Sequence, residues 1–317
     1  VPLAPEIAAA LATEAALGLP APYTQGVEAA RRASATRQRP AGPAVAAVET
    51  LTIPVAGAEI AARLYRPAPR EATAADPAAP APAVVYLHGG GWVIGSLDTH
   101  DNICRQLSAG AGVVVVSVDY RMAPEHRFPV ASDDCLAAVG FVAAHAARLG
   151  IDPARLVVGG DSAGGNLAAA TTLRLRDEGG PALAGQLLLY PVTAHWSAGF
   201  PSYTAFAEGY GLAAAEMAWF WDLYAPTPEL YRDPRAAPLA APDLAGLPPA
   251  YVMTAECDVL RDEAEAYAAR LSAAGVAVTF RRFDGLNHGC AGSFGGLACV
   301  EPFRRHVLDW LGDLVAV

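Results

Sequence analysis

An apolar run, Leu156-Val157-Val158, leads directly into Gly159-Gly160-Asp161-Ser162-Ala163-Gly164-Gly165-Asn166, and the chain leaves through a small-residue helical run, Leu167 to Leu173. A strand that enters so tight a turn and departs as a helix leaves few folds open. The spacing Gly160-x-Ser162-x-Gly164 is that of a strained elbow that lifts a serine hydroxyl above the edge of a sheet. Both flanks need glycine because a Cβ there would run into the strand or the helix. The turn also aims the Ala163 N–H, at a helix N-terminus, toward an oxygen that gains negative charge. Taken alone, the pattern also fits a glycine-rich turn without chemistry, so the rest of the chain has to decide.

Around the elbow, strand-like and helix-like runs alternate. Residues 45–55 and 58–65 read as two strands joined at Gly57. Uninterrupted apolar runs at 84–87, 113–118, 156–158, 187–190, 251–254 and 276–280 are those of strands covered on both faces. Helical runs lie between or after them, at about 99–110, 132–148, 164–178, 261–274 and 302–315. This alternation predicts an α/β fold with a mostly parallel, eight-stranded sheet flanked by helices. Residues 5–19 read as an amphipathic helix with Ile7, Leu11 and Ala15 on one stripe. A second helix at 24–35 ends in Arg31-Arg32, read as a solvated helix end. Residues 67–82 read as a Pro- and Ala-rich surface connection. Residues 194–248, with Trp196, Phe200, Tyr203, Phe206, Tyr210, Trp219, Phe220, Trp221 and Tyr224, break the alternation. The expected organisation is a helical part of a cap at 1–45, a core at 46–193, a cap insertion at 194–248 and the rest of the core at 249–317.

Composition narrows the partners. With 53% hydrophobic and 17% charged residues among 317, the chain can bury a large core. A net charge of −10 disfavours nucleic acid and anionic membrane. Cys104, Cys135, Cys257, Cys290 and Cys299 are scattered, odd in number and without C-x-x-C spacing. They read as reduced thiols in a cytoplasmic protein rather than a zinc site or disulfide frame. No stretch reaches the roughly 18 apolar residues of a membrane span. The sequence opens on Val1, so a segment removed upstream stays open.

A serine nucleophile needs a base, an acid that orients the base, and donors for the oxyanion. His288 follows the run 276–280, in Asp284-Gly285-Leu286-Asn287-His288-Gly289, where such sheets place their sites. His306 sits in an amphipathic terminal helix and reads as a surface residue. Asp258, after the strand 251–254, is the chosen acid. Asp262 and Asp284 read as ordinary helix-end or surface charges, and Glu256 stays open as a competitor. His88-Gly89-Gly90-Gly91-Trp92 follows Val84-Val85-Tyr86-Leu87, and its glycines let N–H groups approach a substrate oxygen.

With Asp119-Tyr120-Arg121-Met122-Ala123-Pro124-Glu125-His126, Tyr190-Pro191-Val192 and Asp258-Val259-Leu260-Arg261-Asp262-Glu263, these motifs resemble the bacterial hormone-sensitive-lipase family of α/β-hydrolases, in the branch whose elbow reads G-D-S-A-G-G. The resemblance covers about 84–315. It implies an α/β-hydrolase fold with a helical cap, Ser162 as nucleophile, His288 as base and Asp258 as orienting acid. It also implies an oxyanion hole of Gly90, Gly91 and Ala163, with Gly89 not a donor. Trp92, Asp161, Phe206, Tyr210 and Cys290 are the expected substrate contacts. Arg121 and Glu125 are expected to pair and brace the oxyanion loop. The chain departs from the family in having Val259 where proline usually follows the aspartate, and Cys290 where phenylalanine usually stands.

The implied activity is a carboxylic ester hydrolase acting on short- to medium-chain acyl esters, with no metal or organic cofactor. Its partner is a small-molecule ester, with neither nucleic acid nor membrane insertion, and a homodimer is compatible with the family. The alternatives are an amidase, lactonase or acyltransferase on the same triad, and a non-catalytic small-molecule receptor on the same scaffold.

Overall fold

The computed structural model describes residues 1–68 and 79–316, so most of the connection expected at 67–82 lies outside the described residues. The strands are β1 (Ala47–Val55), β2 (Ala58–Arg66), β3 (Ala81–Leu87), β4 (Val114–Val118), β5 (Ile151–Asp161), β6 (Gly185–Leu189), β7 (Ala250–Cys257) and β8 (Val278–Asn287). They form one sheet in the order β1-β2-β4-β3-β5-β6-β7-β8. β2 runs antiparallel to both β1 and β4, and every other neighbouring pair is parallel. The helices are α1 (Pro5–Ala16), α2 (Val27–Thr36), α3 (Asp101–Ala111), α4 (Val130–Ala144), α5 (Ala146–Leu149), α6 (Ala163–Glu178), α7 (Ser202–Ala205), α8 (Ala214–Tyr224), α9 (Arg261–Ala273) and α10 (Glu301–Val315).

The period of two along each strand sorts side chains onto two covered faces. Ala83, Val85 and Leu87 of β3 pack with Ala131 and Cys135 of α4, Leu167 of α6 and Leu271 of α9. Val84 and Tyr86, one residue out of phase, pack with Leu107 of α3 and Phe303 and Val307 of α10. The sheet is thus the middle of three layers, which is why its inner strands lack polar alternation. Met217, Phe220, Trp221 and Tyr224 of α8 join the first of these clusters, so the insertion shares the core of the sheet.

Several boundaries differ from those read in the sequence. The first helix stops at Ala16, because Leu17 and Gly18 close its end and Gly18 takes φ +62°. β5 starts five residues earlier than its apolar run, through the polar stretch Asp152-Pro153-Ala154-Arg155. β8 runs on to Asn287, so Asp284 to Asn287 are strand rather than loop and His288 directly follows it. Their mixed polarity hid them: β8 is an edge strand with exposed Phe280, Arg281 and Arg282. His306 is not a plain surface residue. It is half-buried against Tyr251 and Phe283, with ring centroids 5.5 and 6.1 Å away.

The elbow glycines carry the tightest packing. A Cβ on Gly160 or Gly164 would overlap the Leu87 carbonyl oxygen of β3, and neither backbone atom can turn aside. Gly140, in the middle of α4, has open space where its Cβ would be. Gly164→Ala is therefore expected to cost about 3 kcal/mol or more, while Gly140→Ala adds about 0.5–1 kcal/mol through helix propensity. Urea unfolding of both variants checks this, and a Gly164→Ala protein as stable as wild type contradicts the packing account.

Candidate active site

Three chain segments meet at the C-terminal ends of the parallel strands. β5 ends at Asp161, and Ser162 then takes φ +56°, ψ −121° before α6 begins. A serine is held there by hydrogen bonds on both sides. Its N–H donates to Leu189 O at 2.9 Å, and its carbonyl accepts from Asn166 N at 3.0 Å and Val192 N at 3.2 Å. Positive φ in a non-glycine residue is costly and persists where the surroundings over-determine it. The described residues hold two others, Trp92 at +60° and Tyr190 at +35°, each next to this serine's surroundings.

His288 Nε2 lies 2.9 Å from Ser162 Oγ, and His288 Nδ1 lies 2.8 Å from Asp258 Oδ2. The other Asp258 oxygen accepts the Leu260 N–H at 3.0 Å. The Asp258 side chain has no exposure and that of His288 has 12%. Burial opposes charge on His288, but the Asp258 carboxylate, by its charge and its hydrogen bond, outweighs burial and holds the imidazole above its ordinary value. The competing carboxylates are occupied elsewhere. Glu256 accepts the Gly285 N–H at 2.8 Å. Asp262 accepts the Ser202 N–H at 2.8 Å and pairs with Arg261. Asp284 is exposed.

β3 ends at Leu87, and His88 to Trp92 curl over the serine. The Gly89 N–H is taken, lying 3.1 Å from Asp161 Oδ1 and 3.2 Å from His100 Nε2. Among the described residues, the Gly90 and Gly91 N–H groups have no acceptor. Ala163, as the first residue of α6, has no intrahelical acceptor for its own N–H. Beneath the loop, Tyr86 donates to Asp161 Oδ1 at 2.7 Å and Tyr120 donates to the His88 carbonyl at 2.7 Å. Burial raises the cost of charge on Asp161, but His100 and the Tyr86 hydroxyl together hold its carboxyl below the ordinary value. Burial and the neighbouring His100 push His88 down to about 4, so it is a neutral ring.

Three expectations need correcting here. Asp161 is not among them: its Oδ1 is taken by Tyr86, Gly89 and His100, and its Oδ2 has no hydrogen-bond partner among the described residues. Trp92 is wholly buried, stacked on Tyr224 at 4.2 Å between ring centroids, and ties the loop to α8 rather than lining an opening. Arg121 and Glu125 do not pair with each other. Arg121 pairs with Asp134, and Glu125 pairs with Arg31. Arg31 is therefore no solvated helix end. Its guanidinium reaches across to the carbonyls of Val93 and Ala123.

The remaining expected contacts are Phe206, Tyr210 and Cys290. Phe206 is buried edge-on to half-buried Tyr210, and Asn287, next to His288, donates to the Tyr210 carbonyl. Cys290 is buried, and burial pushes its thiol well up. Sequence reading took Phe220 as one of the aromatics of the insertion but not as a neighbour of the glycine triplet, yet its ring lies where a Gly91 Cβ would be. It gave no role to Tyr190, which meets the His288 ring edge-on at 4.9 Å. His100 was likewise passed over. A lone arginine, histidine or phenylalanine in a helix carries no local signal of such long-range contacts. Ser162 keeps only 6% exposure, and clefts of about 610 and 470 Å³ lie elsewhere, the first among Trp196, Phe200 and Tyr203 and the second beside Arg31 and Glu125. Among the described residues, no group of three or more His, Cys, Asp or Glu side chains is arranged to hold a metal ion.

This geometry has known counterparts. Residues 84–292 match the model of an α/β-hydrolase-fold family. The chain is 43% identical over 283 residues to the esterase LipI of Mycobacterium tuberculosis, covering 88% of this chain and 86% of that one. It is 44% identical over 235 residues to an ethyl acetate hydrolase of Pseudomonas putida, covering 73% and 71%. Among solved structures, a hyperthermophilic esterase of the archaeon Pyrobaculum calidifontis superposes with a TM-score of 0.88 at 38% identity over the whole of both chains. The metagenomic carboxylesterase EstE1 superposes with a TM-score of 0.82 at 40% identity, covering 93% of this chain and 98% of that one. With its sheet order, its elbow and its matched relatives in agreement, the chain belongs to the α/β-hydrolase family, in the branch of the hormone-sensitive-lipase-like esterases.

Proposed function

We propose that this protein is a serine carboxylic ester hydrolase with Ser162 as nucleophile, His288 as base and Asp258 as the acid that orients it. The observation that carries the reading is the unbroken run of short contacts from Ser162 Oγ through His288 to Asp258. Neutral His288 takes the hydroxyl proton as Ser162 attacks the acyl carbonyl. The developing oxyanion is met by the N–H groups of Gly90, Gly91 and Ala163. His288 then protonates the departing alcohol, water repeats the sequence against the acyl-enzyme, and the acid leaves. Asp258 keeps the imidazole in the right tautomer and stabilises the imidazolium as it forms.

Residues 1–45 and 194–248 act in this reading as a cap over a core of 46–193 and 249–317. Contacts that support it are Phe220 against Gly91, the Tyr23–Trp219 ring pair, and Asn287 bonded to the Tyr210 carbonyl. Phe206, Tyr210 and Cys290 form walls of the substrate space. Among the described residues no helix is long and apolar enough to cross a membrane. A cytoplasmic setting is consistent with five free cysteines, and the edge strand β8 offers the surface for a homodimer.

The triad is tested by substitution. Ser162→Ala and His288→Ala are expected to lower kcat by a factor on the order of 10⁴ to 10⁶, and Asp258→Asn by about 10³ to 10⁴. Glu256→Gln is expected to do far less. Near-normal ester hydrolysis by Ser162→Ala overturns the reading, and a larger loss from Glu256→Gln than from Asp258→Asn moves the orienting role to Glu256.

The pH profile follows from the direction of the His288 shift. A base works when neutral, so activity appears as pH rises through its pKa. The raised value puts the acid limb of kcat/KM above about pH 6.5, with an alkaline plateau. Asp258→Asn removes the charge that raises it, so the limb of the residual activity moves to lower pH. A profile flat from about pH 5 to 8 argues against a histidine base.

Acyl length is set by the enclosure. Each methylene that fits contributes up to about 0.8 kcal/mol, and one that must displace packed aromatic rings costs about 1–3 kcal/mol. Along a p-nitrophenyl ester series, kcat/KM is expected to peak at about two to six acyl carbons and to fall steeply beyond about ten. Cys290→Phe is expected to shift the optimum shorter. A profile still climbing at palmitate points instead to a lipase.

A further inference from the structure

Arg31 lies on α2, far from Ser162 in sequence, yet its guanidinium ends on the back of the oxyanion loop. Nε donates to Val93 O at 2.9 Å, and Nη2 donates to Ala123 O at 3.0 Å. Nη1 and Nη2 also hold Glu125 at 2.8 and 2.7 Å. The ion pair alone accounts for little, since the side chains are 31% and 55% exposed. The carbonyl of Val93 is the informative partner. It belongs to the same planar peptide as the Ile94 N–H, which donates to Gly90 O at 2.9 Å. Gly90 O in turn belongs to the same planar peptide as the Gly91 N–H. The cation therefore sits behind two peptides joined head to tail, and the far end of the second is an oxyanion donor. In a trans peptide the C=O and N–H point in opposite directions, so both dipoles present their positive ends toward the oxyanion. A cation at the carbonyl end strengthens this alignment, as hydrogen-bonded chains polarise one another. The same guanidinium holds Ala123 O, while the Ala123 N–H donates to Trp92 O at 2.9 Å, which fixes the other limb of the loop.

We propose that Arg31 is a positioning residue for the oxyanion, orienting and polarising the Gly91 N–H through the Val93–Ile94 and Gly90–Gly91 peptides. The proposal rests on the reading of Gly91 as an oxyanion donor. It makes the N-terminal helix α2 part of the catalytic apparatus without any contact to substrate. It also distinguishes Arg31 from Arg32, which is 70% exposed and, among the described residues, meets Glu28 on its own helix.

The test measures kcat and KM on p-nitrophenyl butyrate for wild type, Arg31→Ala and Arg31→Lys, each normalised to active sites titrated with a phosphonate, and for Ser162→Ala normalised to protein concentration. Arg31→Ala is expected to lose about 10- to 100-fold in kcat, less than the outright loss of a donor, with KM changed by no more than about 3-fold. Arg31→Lys keeps the charge without the fork and is expected to fall between. The cleft of about 470 Å³ that Arg31 lines with Tyr120, Met122 and Glu125 gives a small cation access to the vacated place. Guanidinium chloride at about 50 mM, far below denaturing levels, is expected to restore kcat of Arg31→Ala several-fold, and sodium chloride at the same concentration is not. A per-site kcat within about 2-fold of wild type, a loss confined to KM, or equal effects of the two salts overturns the proposal. If Arg31→Ala does not fold, Arg31→Lys decides by the same kcat and KM criteria. Ser162→Ala separates the two levels. Retained activity there overturns the catalytic reading itself, whereas an inactive Ser162→Ala beside a wild-type-like Arg31 variant overturns only the role of Arg31.

Discussion

The Leu87 carbonyl oxygen of β3 fills the space that a Cβ on Gly160 of β5 or Gly164 of α6 would need. Everything that chemistry needs is placed from it. β5 can turn into α6 that sharply only because neither glycine has a side chain, and the turn puts Ser162 at its apex. The chain that leaves β3 just after Leu87 carries the proposed oxyanion donors, so Ser162 and the Gly90 and Gly91 N–H groups are set from one backbone contact. The parallel neighbours β6, β7 and β8 then bring Tyr190, Asp258 and His288 to the same edge. A parallel sheet delivers the loops that follow its strands at one edge, which is how residues 126 apart meet at 2.9 Å.

Burying charge around this point has three different solutions. Asp258 is paired with His288 and a backbone N–H. Asp161 is held by a tyrosine hydroxyl, a glycine N–H and His100. Glu263, at the start of α9, accepts the N–H groups of Thr193 and Ala194 at 2.7 and 3.1 Å, yet burial pushes it up to about 8, so it is largely the neutral acid at pH 7. An uncompensated buried carboxylate costs several kcal/mol, so each of these side chains is tied to the partners that make its burial tolerable. Because those partners are the loops at the sheet edge, the same contacts that satisfy the carboxylates also hold the loops still.

This division explains what could be read in the sequence. The strand and helix alternation was legible because three-layer burial writes long apolar runs into the chain. The elbow and the glycine triplet were legible because each is a local pattern, and Asp258 and His288 became candidates because each follows an apolar strand run. The end of β8 was not, because an edge strand keeps polar residues and loses the apolar signature. Trp92 and Arg31 were misread for a shared reason. Each sits in or near a recognisable segment, but its partners are far along the chain, Tyr224 for Trp92, Val93 and Ala123 for Arg31. Residue type and neighbours say that such a side chain is charged or large; only the fold says what it holds.

The three non-glycine residues with positive φ, Trp92, Ser162 and Tyr190, show where the fold concentrates strain. Conformations of this kind cost of order 1–3 kcal/mol each, so something must offset them. For Trp92 the offset is aromatic packing on α8, face-on to Tyr224 at 4.2 Å and edge-on to Trp221 at 4.9 Å. A buried tryptophan contributes about 4–6 kcal/mol through the area it removes from water. That contribution is present only while α8 stays seated. Motion of the whole insertion away from the serine would therefore expose Trp92 and release the oxyanion loop together. The stretch from Gly199 to Ala213 is tied differently: Phe206 packs edge-on to Tyr210 at 5.0 Å, and Asn287 holds the Tyr210 carbonyl next to His288. The insertion is thus fastened at two places, by ring stacking on Trp92 and by a hydrogen bond beside His288.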